Sequence, residues 1–417
     1  MFCKRNPQND TCSNVPFSVE QERPVSVRYS SFLFFMGFLT QCAQADKFSL
    51  DASNPMALLG QISWSVSHTP VNSGAGVTGT QFVAVGEGCS SWISEDGISW
   101  KYSSTRFPGC NTGGSVRGVV YGNGTWIAVG TLDAPNTCGI WSSQDDALSW
   151  SLHACDPGLV NSVPTVKALY GIAFGANQFW AIGGHNAAGT GSDYFGQRSS
   201  DGIHWQYFGV TDGSTYILAD YYNTVSYNAA DSKVYFSGVH SVNYEFATLE
   251  LPSFTDTPVN LSMSSSNNQV MALKSGQVMV YGDNDYLNPT SSNVKIFSSA
   301  TLDSSAVSAS QTAIQVHASI AVEGKDRILL FGNSCSMDYY QFGLNVWHPS
   351  SGSVVSGCSS KNLLGAAYNS ALDRYVVTGT SNFFAYSTSG LPSAWTAVVP
   401  SLGGESARNA NAVASKQ

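Results

Sequence analysis

The stretch Phe82-Val-Ala-Val-Gly86 is a short apolar run that ends in a glycine, and this pattern recurs along the chain. Close copies are Trp126-Ile-Ala-Val-Gly130 and Phe179-Trp-Ala-Ile-Gly183. Weaker copies end at four further glycines, Gly238, Gly282, Gly332 and Gly379. Successive glycines are about 45 to 55 residues apart, which is close to the length of one four-stranded blade in a repeat protein. The repeat predicts seven similar units rather than several unrelated domains.

A second apolar stretch and a tight turn precede these runs. In Val119-Val-Tyr121-Gly-Asn-Gly and Ile172-Ala-Phe174-Gly-Ala-Asn, the Gly and Asn residues suit the positive φ angles of a hairpin. Both stretches are nearly continuously apolar, as in strands that neighbouring sheets cover on both faces. The sequence therefore predicts an all-β fold over residues 61–417, a seven-bladed β-propeller of four-stranded antiparallel blades. One segment must close the ring by pairing with the other end of the repeat, and the sequence does not decide which of residues 62–66, 395–399 and 407–410 does so.

A third signature follows the glycine-ended run. Ser94-Glu-Asp-Gly-Ile-Ser-Trp100 and Ser199-Ser-Asp-Gly-Ile-His-Trp205 match position for position. Ser143-Gln-Asp-Asp-Ala-Leu-Ser-Trp150 is one residue longer, and residues 387–395 form a degraded fourth copy. Ser and Asp side chains in such a turn bond to backbone amides, while the Trp packs between sheets.

This signature resembles the Asp-box, or BNR repeat, of sialidase-type β-propellers. In that family the box lies away from the active face, so the resemblance implies structural rather than catalytic residues. The residues concerned are Ser94, Asp96, Gly97, Trp100, Ser143, Asp145, Trp150, Ser199, Asp201, Gly202 and Trp205.

Six of the nine cysteines fall at equivalent positions of the repeat. Three follow the second strand of a unit, and three follow the fourth strand of the same unit. Both positions emerge on one face of an up-and-down sheet, which selects one pairing from the many that six cysteines allow. The predicted disulfides are Cys89–Cys110, Cys138–Cys155 and Cys335–Cys358. Disulfides indicate an oxidising compartment. Zinc sites are the weaker alternative, because no C-x-x-C motif occurs.

Residues 31–39 form an uncharged apolar run that is too short to span a bilayer and is typical of a signal-peptide core. Cys42 follows this run. We therefore expect a leader over residues 1–42, a lipid on Cys42 and a linker over residues 43–60. The polar segment before the run is unlike a signal peptide, which suggests a true start near Val27.

Two alternatives to a lipidated leader stay open. The small residues before Asp46 suit cleavage at that position, which would give a periplasmic or secreted protein. The apolar run would otherwise be a buried strand or helix. The segments Phe38-Leu-Thr-Gln-Cys42 and Leu50-Asp-Ala-Ser-Asn-Pro55 resemble spirochaetal, specifically leptospiral, lipoproteins. That resemblance implies an exported protein of the bacterial cell envelope, held at the outer membrane by its lipid alone.

The formal net charge is −9, and no basic stripe occurs, so nucleic-acid binding is not expected. The connections after Gly130, Gly183, Gly282 and Gly332 appear long and contain Asn, Gly, Asp and Tyr, which suit hydrogen bonding and stacking. We expect a protein or carbohydrate ligand on the face that carries these connections. The candidate binding residues are His185, Asp283, Asp285, Tyr339 and Tyr340.

No catalytic residue, cofactor or metal is expected, and His185 and His240 are only weak candidates for metal ligands. A sialidase-type glycoside hydrolase is the alternative that the Asp-box resemblance raises, and it implies an arginine triad and acidic catalytic residues. The arginines after the leader fall at different strand positions: Arg106, Arg117, Arg198, Arg327, Arg374 and Arg408. A scaffold within an envelope complex is the third interpretation.

Overall fold

The computed structural model describes residues 78–416 apart from internal segments. Those segments are 134–136, 157–158, 161–162, 165–167, 185–193, 211–220, 241–242, 252–254, 260–268, 274, 282–293, 299–307, 311–314, 349–354, 356–357 and 359. The described residues belong to one compact unit, Pro70–Gln417. The predicted leader with Cys42, the linker and the strand-like residues 62–66 lie outside the described residues. Within the described ranges, no helical segment has the length and hydropathy that a bilayer crossing requires.

The described secondary structure is almost entirely β. The first fifteen strands are β1 (Phe82–Gly86), β2 (Ser91–Ser94), β3 (Lys101–Ser103), β4 (Ser115–Gly122), β5 (Thr125–Thr131), β6 (Cys138–Ser143), β7 (Ser151–His153), β8 (Leu159–Val160), β9 (Val163–Pro164), β10 (Ala168–Gly175), β11 (Gln178–Gly184), β12 (Tyr194–Ser199), β13 (Gln206–Val210), β14 (Tyr221–Asn228) and β15 (Lys233–His240).

The next fifteen strands complete the chain in the same pattern. They are β16 (Asn243–Glu250), β17 (Thr255–Val259), β18 (Gln269–Ala272), β19 (Gln277–Tyr281), β20 (Val294–Ser298), β21 (Ser308–Ser310), β22 (Val316–Val322), β23 (Arg327–Gly332), β24 (Met337–Gln341), β25 (Val346–His348), β26 (Leu363–Asn369), β27 (Arg374–Gly379), β28 (Phe383–Ser387), β29 (Thr396–Val398) and β30 (Ala410–Ser415). Four short 3-10 turns occupy Glu323–Lys325, Asn333–Cys335, Thr380–Asn382 and Pro392–Ala394.

Among the described residues these strands form six large antiparallel sheets. Five have four strands each, namely β30-β1-β2-β3, β4–β7, β18–β21, β22–β25 and β26–β29. The sixth has eight strands, because the meanders β10–β13 and β14–β17 are joined by a single residue pair between Gly184 and Tyr221. The described residues therefore form six separate large sheets, where the sequence repeat predicts seven blades. A small ribbon, β8–β9, lies outside this pattern.

The innermost strands of the sheets contact one another in a ring. Contacts run from β30 to β4, from β4 to β10, from β10 to β14, from β14 to β18, and from β22 through β26 back to β30. The remaining step, from β18 to β22, is bridged by a hydrogen bond from Gln269 Nε2 to the His317 carbonyl at 3.2 Å. Sheets of four antiparallel strands arranged around a central channel define a β-propeller.

The C-terminal strand closes the ring. β30 pairs antiparallel with β1, so that Phe82 faces Ser415 and Val83 faces Ala414. The strand begins at Ala410, where the candidate segment 407–410 ends. Residues 396–398 form the outer strand β29 of the preceding sheet. The sheet edge next to β1 is therefore covered by the other end of the same chain, which leaves no open inner edge there.

The second strand of each sheet supplies the core. All residues of β1 and β5 are buried, as expected for strands that neighbouring sheets cover on both faces. Four tryptophans are almost completely buried between sheets: Trp92, Trp126, Trp141 and Trp180. Burial of an aromatic or large aliphatic side chain of this kind stabilises the fold by about 2 to 3 kcal/mol.

The turns that begin at Ser94, Ser143 and Ser199, here called serine–aspartate turns, connect the third and fourth strands. Ser94 Oγ accepts a hydrogen bond from the Gly97 amide at 2.8 Å. Asp96 Oδ1 accepts from the two following turn amides at 2.8 and 2.7 Å. Gly97 has φ 73°, a left-handed conformation that glycine adopts without strain. Trp100 closes the turn and is 8% exposed.

The other turns repeat this geometry. Ser199 Oγ accepts from the Gly202 amide at 2.9 Å, and Asp201 Oδ1 accepts from two following amides at 2.8 Å each. In the longer turn, Ser143 Oγ accepts from the Ala147 amide at 3.0 Å. The degraded copy keeps the serine without the aspartate, since Ser387 Oγ accepts from the Gly390 amide at 2.9 Å. These turns lie on one face of the propeller, here called the turn face.

Three disulfides lie on the opposite face. They join the predicted partners, Cys89–Cys110, Cys138–Cys155 and Cys335–Cys358. Cys89 and Cys335 lie in the connection after a second strand, whereas Cys138 is the first residue of the third strand β6 rather than a loop residue. The partner of each follows the fourth strand of the same sheet. We call this side of the propeller the hairpin face.

Candidate functional site

Six inner strands carry a β-bulge near the point where they leave the hairpin face. In each case the ladder with the second strand shifts by one residue. The extra residues of these bulges are Arg117, Tyr170, Asn223, His317, Leu364 and Asn411. No other described ladder in the sheets has such a shift. A bulge changes the direction of a side chain, and bulges recur next to functional sites. The recurrence of bulges at one level of the channel therefore marks this level as the candidate site.

The bulges follow from a local sequence pattern, an apolar residue, a variable residue and then a small residue. Val116-Arg-Gly118 and Leu363-Leu-Gly365 are examples. A Cβ at Gly118 would lie 3.1 Å from the Ile172 side chain on the next inner strand. A Cβ at Gly365 would lie 2.9 Å from the Ala412 backbone. The small residue therefore lets adjacent inner strands approach closely beside each bulge.

Five of the bulged residues line one cavity of about 320 Å³ in the channel. We call these five the bulge ring: Arg117, Tyr170, His317, Leu364 and Asn411. The disulfide face is adjacent, because a Cβ at Gly114, one residue before β4, would lie 2.9 Å from Cys110 Sγ. The bulge ring therefore forms the mouth of the channel on the hairpin face.

Arg117 is the cation of this mouth. Its guanidinium lies over the Tyr170 ring with Cζ 4.8 Å from the ring centroid, a cation–π arrangement. Arg117 is exposed to the channel. Among the described residues no carboxylate lies within ion-pair distance of it. Stacking covers the flat face of a guanidinium and leaves its N–H edge available to a ligand.

A hydrogen-bond chain stiffens the opposite wall of the mouth. Ser319 Oγ donates to Tyr281 Oη at 2.6 Å, and Tyr281 Oη donates to Gln269 Oε1 at 2.8 Å. Gln269 Nε2 donates to the His317 carbonyl. Burial raises the pKa of Tyr281 well above its ordinary value, so the phenol stays neutral. This wall is therefore polar and uncharged.

A second cavity of about 510 Å³ occupies the half of the channel toward the turn face. It shares Ala366 and Val413 with the first cavity, so the two are contiguous. Its walls are mainly aliphatic and aromatic: Val120, Tyr121, Phe174, Ile320, Ala367, Tyr368 and Ala414. The channel is therefore less polar at the turn face than at the hairpin face, although Asn123 and Ser415 also line the second cavity.

Of the residues predicted to bind ligand, the two that the structure describes, Tyr339 and Tyr340, are not part of the described lining of this mouth. Tyr340 is 4% exposed and donates to Asn345 Oδ1 at 2.7 Å, so it belongs to the core rather than to an exposed face. Tyr339 is stacked on His348 with ring centroids 4.3 Å apart. His185, Asp283 and Asp285 lie outside the described residues.

Two further expectations concern loops and metals. The connection after Gly332 is a tight turn at Asn333–Cys335 rather than a long loop. The turn bonds back on itself, because the Ser336 amide donates to the Asn333 carbonyl at 2.9 Å. Among the described residues no group of three or more potential metal ligands occurs.

The arginines do not converge. Arg117 lines the mouth, whereas Arg106 Nη1 donates to the Ala147 carbonyl at 3.1 Å and Arg327 Nη1 to the Ser389 carbonyl at 2.6 Å. Arg374 Nη1 donates to the carbonyl of Asp96. Three arginines therefore hold turns on the turn face, at the opposite end of the channel from Arg117.

Sequence reasoning missed the bulge ring. A signal was present, because the apolar-variable-small pattern recurs at the same place in five of the six bulged strands, as in Val116-Arg-Gly118 and Leu169-Tyr-Gly171. The nearly continuous apolar character of these strands hid it, since an inserted residue leaves no visible break in such a run.

Comparisons with known proteins add little beyond the architecture. No known protein family matches the chain, and no curated protein matches it. Among solved structures, the chain is similar to YCF48 bound to D1 peptide, with 13% sequence identity and a TM-score of 0.49. That similarity covers 73% of this chain and 88% of the other. The assignment of a β-propeller rests on the six sheets and the ring of inner strands described above.

Proposed function

We propose that this protein is a non-catalytic binding module whose ligand contacts the bulge ring. The observation that carries the proposal is that repeated bulges aim five side chains into one cavity at the hairpin face. Each bulge interrupts a hydrogen-bonded ladder, and such features recur next to functional sites. A purely structural channel has no need of the same irregularity in six inner strands.

The chemistry of the mouth favours binding over hydrolysis. The described lining combines a guanidinium, an imidazole, an amide and a phenol, which suit hydrogen bonding and stacking to a protein or carbohydrate partner. Glycoside hydrolysis usually needs two carboxyl groups flanking the scissile bond. The described residues that line this cavity contain none.

Export with a lipid on Cys42 is part of the same proposal. The three disulfides support an oxidising compartment, and the apolar run before Cys42 supports a signal peptide. The bacterial cell envelope, with the outer membrane as the site of attachment, suits both features. Intact mass of the protein from its own membranes tests this directly. A mass that begins at Cys42 with an acyl addition is expected, whereas a mass that begins at Asp46 would contradict lipidation.

Seven blades of the Asp-box type are the finer architecture that we infer. The two halves of the eight-stranded sheet are joined by one residue pair, and each half has its own inner strand with its own bulge. Counting each half as a blade gives the number that the sequence repeat predicts. The three serine–aspartate turns support the Asp-box assignment.

Site-specific photo-crosslinking tests the binding role. A photoreactive phenylalanine at Leu364 places the probe in the bulge ring, and the same probe at Leu148 serves as a matched control. Leu148 is 62% exposed on the turn face. We expect an adduct of defined mass in native membranes from position 364 and none from position 148. Adducts from position 148 alone, or from neither position, would refute the proposed site.

A further inference from the structure

The channel contains a cation without a counter-ion among the described residues. Arg117 contacts the Tyr170 ring, is exposed and lines the cavity. The described lining of both cavities supplies no carboxylate to neutralise it. A guanidinium in this state favours a carboxylate that accepts two parallel hydrogen bonds.

The rest of the channel limits what can carry that carboxylate. Toward the turn face most of the side chains that line the second cavity are aliphatic or aromatic, and they include the half-buried rings of Tyr121, Phe174 and Tyr368. A short polar anion would leave this half in contact with water, whereas a hydrocarbon chain would cover it. Tyr121 lies four residues beyond Arg117 on β4, which is about 13 Å along a strand.

We propose that the channel binds an amphipathic monocarboxylate, with its carboxylate at Arg117 and its alkyl chain in the apolar half. The inference rests on the proposed ligand-contacting role of the bulge ring but not on the identity of the protein or glycan partner. The polar wall formed by Ser319, Tyr281 and Gln269 has its hydrogen bonds satisfied internally. Arg117 therefore supplies the specificity for charge, and the second cavity supplies the specificity for the chain.

Titration calorimetry with dodecanoate tests this inference on the full oxidised chain. Dodecanol lacks the charge and acetate lacks the chain, so the two controls separate the two halves of the site. We expect dodecanoate to bind, dodecanol to bind at least about tenfold more weakly, and acetate to give no measurable binding. Equal affinity for dodecanoate and dodecanol, or no binding of dodecanoate, would overturn the proposal.

Variants assign the effect to residues. Arg117→Gln is expected to weaken dodecanoate binding about tenfold and to leave dodecanol binding unchanged. Lys101→Gln removes an equally exposed positive charge from an outer strand and is expected to change neither. Equal effects of R117Q and K101Q would overturn the assignment to Arg117.

A third variant tests the apolar half. Ala366→Trp places a large ring where the two cavities meet, and it is expected to abolish binding of both C12 ligands. Unchanged thermal unfolding of A366W would show that the channel, not the fold, was altered. If this variant unfolds, R117Q still decides the proposal. If the unaltered protein does not bind dodecanoate but gives the adduct at position 364, this inference is overturned and the proposed binding function stands.

Discussion

Three hairpins on the same face are fastened in two different ways. The β1–β2 and β23–β24 hairpins are tied by disulfides, whereas the β27–β28 hairpin is tied by an amide. Cys89 and Cys335 each occupy the second of two successive positions with positive φ, at 61° and 55°. Asn382 occupies the same position of its turn with φ 59°. Its Nδ2 donates to the Pro400 carbonyl at 3.1 Å.

The tie reaches an equivalent place in all three sheets. Cys110, Cys358 and Pro400 each follow the outer strand of the sheet to which the hairpin belongs. In all three sheets the connection after the second strand is therefore bonded to the segment after the fourth strand. Either a disulfide or an amide hydrogen bond can supply this bond. The backbone conformation varies less than the type of bond, because the position requires a positive φ angle in all three turns. Asn tolerates this left-handed conformation better than most residues.

The largest expected effect comes from removing the buried disulfide tie. Cys335 and Cys358 are fully buried in a core cluster with Phe331 and Trp395. The double change Cys335→Ala, Cys358→Ala should lower the free energy of unfolding by about 3 kcal/mol or more, because loop entropy and packing are both lost. Urea denaturation measures this value. The Cys138→Ala, Cys155→Ala pair, which is only partly buried, is the control and should cost less. The reverse order would contradict the role given to burial.

The amide tie is expected to be weaker, and two variants separate its parts. Asn382→Gly keeps the left-handed turn and removes the bond to Pro400, which should cost about 1 kcal/mol. Asn382→Ala removes the same bond but, unlike glycine, keeps a Cβ in the left-handed region without the local hydrogen bonding by which Asn tolerates it, and it should cost about 2 kcal/mol. Urea denaturation distinguishes the two. Equal costs would mean that backbone strain contributes nothing at this turn.

The smallest expected effect lies on the turn face, where some turns contain an aspartate and one does not. The pH dependence of stability can be compared between variants of these two kinds of turn. Partial burial raises the pKa of Asp96, but hydrogen bonds from Ser99, Ile98 and Ser94 outweigh it, and the net pKa is lowered. A lowered folded-state pKa stabilises the fold above the unfolded value of about 4, and this contribution is lost as pH falls further.

Asp96→Asn should therefore flatten the loss of stability below about pH 4, as measured by thermal unfolding across that range. Ser389 occupies the matching position in the turn that begins at Ser387. Ser389→Ala should leave the pH dependence unchanged. A flattening of equal size in both variants would show that the turn carboxylate does not carry the effect.

Much of the fold could be predicted because each repeated unit carries the same short sequence patterns. The run Phe82-Val-Ala-Val-Gly86 and its copies became second strands because an apolar run bounded by turns has one stable place between packed sheets. The cysteine pairs followed from the same repeat, since Cys89 and Cys110 occupy defined strand ends within one sheet. Local signals of this kind need no knowledge of distant residues.

The candidate site could not be predicted because it depends on contacts between units. Arg117 and Tyr170 are separated in sequence by a complete sheet, and only the ring of inner strands brings them together. The strand that closes the ring was ambiguous for a similar reason, since pairing of Phe82 with Ser415 depends on the whole circuit. The fusion of two meanders through Gly184 and Tyr221 depends on a single contact that no pattern encodes.

The pairing of β30 with β1 has a consequence for how the chain acquires its structure. The innermost strand of the first sheet emerges after the other described strands during synthesis, so that sheet is incomplete until β30 has been made. Contacts of such high sequence separation form slowly, because loop-closure entropy must be overcome first. During this interval the edge of β1 is open to pairing with other chains. A chain that crosses a membrane before folding would therefore need to be kept apart from its neighbours until β30 pairs with β1.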